Sequence, residues 1–412
     1  MEDLAINGGP KSIAENLKPE RPGLNWVDDE ERKAIVAALD GHAWSGTLED
    51  DLRNFYQCAW AASTNSGTGA LYSAASALGL HPGMEVLVPG FCWIPTFACV
   101  LSVGAIPVPV EVGEDLGIDV ADAERKINQR TRAILPVHMC GAAADMDRVM
   151  ELARKHDLLV IEDCAQDGAG KFRGKYVGLF GDIGCFSLQA NKHFTCFTGG
   201  YMLSRHKHLQ AIAAQARDCG LPRVMNVVSH EIDEHVTWGQ GRNLNPLAQA
   251  MAKVQLRKAP RIIASMQASH RRIRDGIGNI AGLRFRPLPD PESDCGSFLV
   301  TYWPTAEKAR RAAEALKAEG APQWLFHLAD YGTHMYYHML NLVKKAGWSY
   351  GSQWPWNAAE NTNSCYSYSK GSLPKSDEIF SRGVVMAVPS KISGDECDRI
   401  AYAYRKAAAH IL

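Results

Sequence analysis

Nowhere do two of the 11 cysteines stand in a CxxC pair, so the chain offers neither a zinc site nor a regular disulfide framework, and no metal is expected. Cys58, Cys92, Cys99, Cys140, Cys164, Cys185, Cys196, Cys219, Cys295, Cys365 and Cys397 are scattered and odd in number, which fits reduced, mostly buried thiols in a reducing compartment. No apolar run approaches the roughly 20 residues that a membrane-spanning helix needs. The polar N-terminus up to Gly23 lacks a signal-peptide core. Neither a membrane nor secretion is expected, and the predicted location is the cytoplasm. An excess of one charge is missing too: 44 Lys plus Arg face 45 Asp plus Glu, a net charge of -1, with no long block of either sign. That excludes nucleic acid as the expected partner. The P-loop ending Gly-Lys-Ser/Thr and the GxGxxG fingerprint are both lacking around the one phosphate-like helix start described below.

What is there is length and rhythm. A chain of 412 residues exceeds what one core normally supports. The expected division is a large domain over 1–250, including the N-terminal segment, and a small C-terminal domain over 251–412 with a bridging helix. From about Trp26 to Ser204, short apolar runs alternate with amphipathic stretches, the pattern of helices on a mostly parallel sheet. Val86–Val88, Ala133–Val137 and Leu158–Ile161 are too short for helices and lack polar alternation, so they read as strands buried on both faces. Met146 to Lys155 carries one apolar stripe and reads as a helix capped near Asp145. A long helical pattern from about Leu247 to Ile280 is expected to break at Pro260. Beyond it, Gly296–Tyr302 (strand), Ala306–Glu319 (helix), an aromatic-rich segment from Trp324 to Trp356 and a closing helix near Asp395–Ala409 compose a smaller α+β part.

Each of the strands runs into a loop of unusual residues: Pro89 to Trp93, His138 to Gly141, and Glu162 to Gln166. In open parallel sheets the ligand crevice lies beyond the carboxyl ends of the strands, so these loops should converge. Lys192 follows an apolar strand that also delivers Ser187, and the loop closes with Gly199-Gly200. Desolvation there would lower a lysine's pKa and make it a nucleophile; read alone, it fits a solvated loop lysine as well. Asp163 ends a buried strand and needs a partner, either a protonated pyridine nitrogen or a cap or salt bridge. Ser66, Gly67 and Thr68 open an apolar helix whose N–H groups could meet a phosphate, or serve only as its cap. Trp93 can stack on an aromatic cofactor or fill the core. His138 reads as a satisfied loop histidine. Trp348, Tyr350, Trp354 and Trp356 fit a substrate mouth or a subunit interface equally.

Phosphate-cradle helix, aromatic, strand-end Asp, then Ser and Lys, in that order, resemble the DegT/DnrJ/EryC1/StrS family of sugar aminotransferases that depend on pyridoxal 5'-phosphate (PLP). The resemblance runs over most of the chain, through Thr64–Thr96, Arg130–Asp147, Leu158–Lys192 and, more faintly, Gly241–Leu256. It implies an α/β fold of the aspartate-aminotransferase type (fold type I), with a mostly parallel central sheet and a smaller α+β C-terminal domain. It further implies that Lys192 holds PLP as a Schiff base and moves protons, and that Asp163 keeps the pyridine nitrogen protonated. Trp93 would stack on the ring, Gln166 would touch the phenolic oxygen, and Ser187, Ser66, Gly67 and Thr68 would bind the phosphate. Asn243 would reach the phosphate of a neighbouring subunit's cofactor, making a homodimer with shared active sites.

The implied reaction moves an amino group from glutamate or glutamine to a keto or aldehyde group of a sugar-like substrate. His138 to Gly141 with its flanks, Pro289–Glu292 and Leu373–Asp377 look most like members that aminate an octulosonic acid, with inosose and aminobenzoate-pathway members also similar. Three places depart from the family's pattern. Phe197-Thr198 stands where many relatives have glycine followed by an acid, Asn245 stands where many have arginine with Arg242 as a substitute, and His193 sits beside the lysine in a family whose dehydratases carry histidine at that position. The alternatives are another PLP-dependent reaction, such as elimination, dehydration or oxidation, and a non-catalytic PLP-binding protein.

Overall fold

The computed structural model describes residues 2–13, 17, 21–41, 47–220, 236–322 and 324–412, with the backbone of 223–224 and 227–228. Seven strands form the main sheet: β1 (Trp60–Thr64), β2 (Glu85–Pro89), β3 (Ile106–Val110), β4 (Thr131–Ile134), β5 (Leu159–Asp163), β6 (Ile183–Ser187) and β7 (Gly200–Ser204). Their order is β1-β7-β6-β5-β4-β2-β3. The pairs from β3 to β6 are parallel, whereas β7 runs antiparallel to both β6 and β1. Successive side chains of a strand point to opposite faces, and here both faces are core. Val86 and Val88 join one apolar cluster while Leu87 joins the other. That is why these strands appear in the sequence as unbroken apolar runs.

Three helices matter for the site. α1 (Asp29–Leu39) starts at a capping box made by Asp28 and Glu31. α2 (Gly67–Ala77) is built of small residues that let it lie close on the sheet. α3 (Met146–His156) buries Met146, Val149, Leu152 and Ala153, and Asp145 caps it by accepting from the Arg148 N–H.

Helix α4 (Pro246–Ile277) does not break at Pro260, contrary to the sequence expectation. The proline removes one backbone hydrogen bond and crowds the preceding turn. Packing offsets that loss, since α4 lies against α1 and, further along, against the C-terminal helix. The boundary expected at 250/251 falls in the first turns of this continuous helix. A second, antiparallel sheet follows: β8 (Arg284–Phe285), β9 (Phe298–Tyr302), β10 (Leu325–His327) and β11 (Gly383–Ala387), in the order β8-β9-β11-β10. Helices α5 (Ala306–Ala318) and α6 (Gly394–Ile411) share a separate core with it.

Residues 5–12 of the N-terminal segment pack on this second unit, while Gly23 bonds Lys192 of the larger part. The Glu319 carboxylate, fully buried, accepts from the backbone N–H groups of Ala5 and Ser12 and pairs with buried Lys406 at 3.1 Å. A buried carboxylate must be surrounded by donors, and residues 5–12 supply the ones that the helices cannot. All 11 cysteines are free thiols, and all but Cys58, Cys219 and Cys365 are buried. Among the described residues, no helix is long and apolar enough to cross a membrane.

Candidate active site

Beyond the carboxyl ends of β5 and β6 lies a crevice of about 660 Å³, roofed by residues 324–334 of the second unit. Eight of the nine residues expected to hold the cofactor line it: Ser66, Gly67, Thr68, Trp93, Asp163, Gln166, Ser187 and Lys192. The ninth, Asn243, is exposed outside it and donates from Nδ2 to Asp218 Oδ1 at 2.9 Å.

Asp163 ends β5, with its backbone N–H on Pro136 O and its own carbonyl accepting from the His138 N–H. Thr96 Oγ1 donates to its Oδ2 at 2.7 Å, and the Ala165 N–H reaches Oδ1 at 3.1 Å. Burial nevertheless dominates and pushes this carboxyl above the usual range. Among the described residues, no cation lies within ion-pair distance of it. The carboxyl therefore suits a partner that brings its own N–H and positive charge.

Lys192 sits in the turn after β6, fixed by its N–H on Gln189 O and by the Gly23 N–H on its own carbonyl. Desolvation lowers its ammonium to about 8, with Asp163 pulling weakly the other way. Beside it, His193 also lines the crevice, but its Nδ1 lies 3.1 Å from the Gly168 carbonyl and burial holds its pKa down at about 4.

The cradle at the start of α2 depends on two glycines. Ser66 is the N-cap, its Oγ accepting from the Gly69 N–H at 2.9 Å, while the first N–H groups of the helix face the crevice without helical acceptors. A Cβ on Gly67 would lie 2.8 Å from Ser187 Cβ, and one on Gly200 would lie 2.5 Å from the Ser66 carbonyl carbon. Only glycine lets the helix start, the end of β6 and the start of β7 meet here. Hydroxyls and helix N–H groups thus converge on one end of the crevice, a donor set that matches a phosphate. The buried carboxyl of Asp163 and the Lys192 amine line the same crevice. This set fits PLP: donors for its phosphate, a carboxyl for a protonated ring nitrogen, and a lysine.

Several participants were not legible in the sequence. Thr96, which holds Asp163, lies one turn after Trp93 but carries no distinguishing pattern. Tyr331 and His334 come from the aromatic-rich segment, and their rings stack with centroids 4.5 Å apart. None of Trp348, Tyr350, Trp354 and Trp356 lines the crevice; Tyr350 is fully exposed and Trp348 lies against Tyr72. His138 is fully buried, its Nδ1 accepting from the Ala144 N–H and its Nε2 facing Glu162, which in turn accepts from the Gly178, Phe180 and Gly181 N–H groups. It is a satisfied structural histidine. Arg242 is buried against α2, over the Tyr72 ring and bonded to Ser73, and does not point into the crevice. Phe197 is exposed at φ 69°, in the left-handed region where its relatives' glycine would be unstrained, and Thr198 beside it lines the crevice.

Known proteins are similar to this chain in sequence and in fold. The profile of the DegT/DnrJ/EryC1/StrS aminotransferase family matches residues 27–405. GDP-perosamine synthase from Vibrio cholerae is 31 % identical over 288 residues, 68 % of this chain and 75 % of that protein. L-glutamine:2-deoxy-scyllo-inosose aminotransferase from Micromonospora echinospora is 36 % identical over 227 residues, covering 51 % of this chain and 54 % of that one. The chain spans about half the length, or less, of the inosose relatives it matches. Among solved structures, S. venezuelae DesV in complex with a ketimine intermediate superposes with a TM-score of 0.75 at 25 % identity, over 95 % of this chain and 99 % of that one. The architecture is that of fold type I. On the match across residues 27–405, the chain belongs to the DegT/DnrJ/EryC1/StrS aminotransferase family.

Proposed function

We propose that the protein is a PLP-dependent aminotransferase that takes an amino group from glutamine or glutamate and places it on a keto or aldehyde carbon of a sugar-like acceptor. The observation that carries this reading is the convergence of Lys192, Asp163 and the Ser66–Thr68 and Ser187 cradle in one crevice. Glutamine and keto sugars enter because the relatives' names specify them.

Bound there, PLP supplies an electron sink that lets the C–H bond next to an amine break. The chain's own residues do the rest. The cradle would anchor the phosphate, Trp93 would support one face of the ring, and Asp163 would hold the ring nitrogen's proton. Gln166 would meet the phenolic oxygen. Lys192 would be the amine that bonds the cofactor, and it lies in the crevice where the reacting carbons would sit. Burial lowers its ammonium to about 8, so it would take up and return a proton at carbon near neutral pH more readily than an ordinary lysine near 10.4.

Asn243 is assigned to the partner's cradle. Its exposed side chain, together with the exposed large apolar side chains Phe197, Trp238 and Leu247, supports a homodimer with shared sites. The free thiols support a cytoplasmic setting.

The test is the near-ultraviolet and visible spectrum of the PLP-loaded protein with glutamine or glutamate, followed by keto-sugar, inosose and octulosonic-acid acceptors. Loss of the visible band with a donor and its return with one acceptor class supports the reading. A band indifferent to every donor sinks it in favour of another PLP reaction.

A further inference from the structure

Residues 331–337 follow β10 and a short turn, and 331–334 line the crevice. Their backbone is stitched to the loop after β2: the Cys92 N–H bonds His334 O at 3.0 Å and the Tyr336 N–H bonds Gly90 O at 3.1 Å. This fixes His334 opposite Trp93, with ring centroids 4.9 Å apart, and stacks it on Tyr331.

The hydrogen bonds around His334 leave one arrangement of protons. Its Nδ1 lies 3.3 Å from the Tyr331 carbonyl, which can only accept, so Nδ1 carries the hydrogen. The bare Nε2 then accepts from Gln166 Nε2 at 3.2 Å. On the other side, Gln166 Oε1 accepts from the Cys140 N–H at 3.1 Å. The amide's carbonyl and one of its N–H groups are thereby used, and the second N–H is left for the crevice. Cys140 is itself held by Arg286, which donates to the Met139 and Cys140 carbonyls at 3.0 and 3.1 Å, and the Cys295 N–H holds Gly141 O at 2.8 Å. Both constraints on Gln166 therefore originate beyond α4.

For this to hold, His334 must remain neutral. Burial and the facing Lys192 hold its pKa down at about 4. The other titratable groups around the crevice are Asp163, His193, Asp330 and Tyr331.

We propose that His334 is a positioning residue whose Nε2 lone pair locks the Gln166 amide so that it presents an N–H, never its carbonyl, to the cofactor's phenolic oxygen. This rests on the PLP reading above. A flipped amide would set two acceptors against each other. A donor at that oxygen weakens its hold on a proton, so it lowers the pH at which the bound cofactor changes colour.

The experiment is the pH titration of the visible band in the PLP-loaded protein, for wild type, His334→Phe, His334→Gln, Gln166→Ala and the double variant His334→Phe/Gln166→Ala, with the PLP dissociation constant measured alongside. The midpoint should rise by about one pH unit in His334→Phe and in Gln166→Ala, roughly one charge-assisted hydrogen bond. The double variant should move no further than either single one. His334→Gln, which restores an acceptor oxygen, should return the midpoint close to wild type. An unchanged midpoint in His334→Phe, or additive shifts in the double variant, would overturn the proposal while leaving the aminotransferase reading intact. If the wild-type protein takes up no PLP, the reading itself fails first.

Discussion

At the scale of single residues, the site works by withholding water from charges that would otherwise be ordinary. Lys192 and Asp163 shift in the directions that burial dictates, the amine down and the acid up. Both were visible in the sequence because each follows a buried apolar strand, where a charged residue needs a reason. Thr96 and His334 were not visible, since a threonine after Pro95 and a histidine among aromatics look the same whether they face a site or solvent. Gly67 shows how tightly the cradle is drawn. Gly67→Ala places a methyl 2.8 Å from Ser187 Cβ, so the helix start must retreat from the strand end. The PLP dissociation constant, measured by fluorescence quenching, should rise by at least about tenfold, the equivalent of about 1.4 kcal/mol or one charge-assisted hydrogen bond. An unchanged constant would remove the phosphate from that position.

At the scale of elements, strands were the most legible. Apolar runs over Val86–Val88 and Leu158–Ile161 became β2 and β5 because both faces of the sheet are covered. Helix α4 was misjudged at Pro260, where a local rule lost to packing along both halves of a 32-residue helix. Pro260 is exposed, so replacing it disturbs little. Pro260→Ala should stabilise the protein by roughly 1–3 kcal/mol by restoring the backbone hydrogen bond and the turn before it, read from the midpoint of chemical denaturation. A neutral or destabilising result would mean that the restored hydrogen bond does not offset the lost restriction of the unfolded chain.

At the scale of the whole molecule, the crevice belongs to both units, and the second unit supplies its roof and the constraints on Gln166. The sequence implied two parts from length alone, but it could not show that residues 5–12 bind Glu319 on the far unit, because that pairing spans more than 300 positions. Acid stability belongs at this scale too. His193 is buried with its pKa held down at about 4, against about 6.5 when unfolded. A lowered histidine is neutral in the fold and protonated first in the unfolded chain. Its contribution is therefore complete above about pH 6.5 and is lost as pH falls toward 4. The loss reaches up to about 3 kcal/mol for this group. His193→Gln should flatten the dependence of the unfolding free energy on pH between 4 and 6.5, and an unaltered slope would place the acid sensitivity elsewhere.

The central claim is that Lys192 is the residue that bonds the cofactor, and borohydride reduction of the PLP-loaded protein tests it most directly. After proteolysis and mass analysis, the pyridoxyl group should be found on the peptide containing Lys192, and Lys192→Ala should bind PLP only reversibly. A pyridoxyl group fixed on any other lysine, or fixed equally well in Lys192→Ala, would contradict the account.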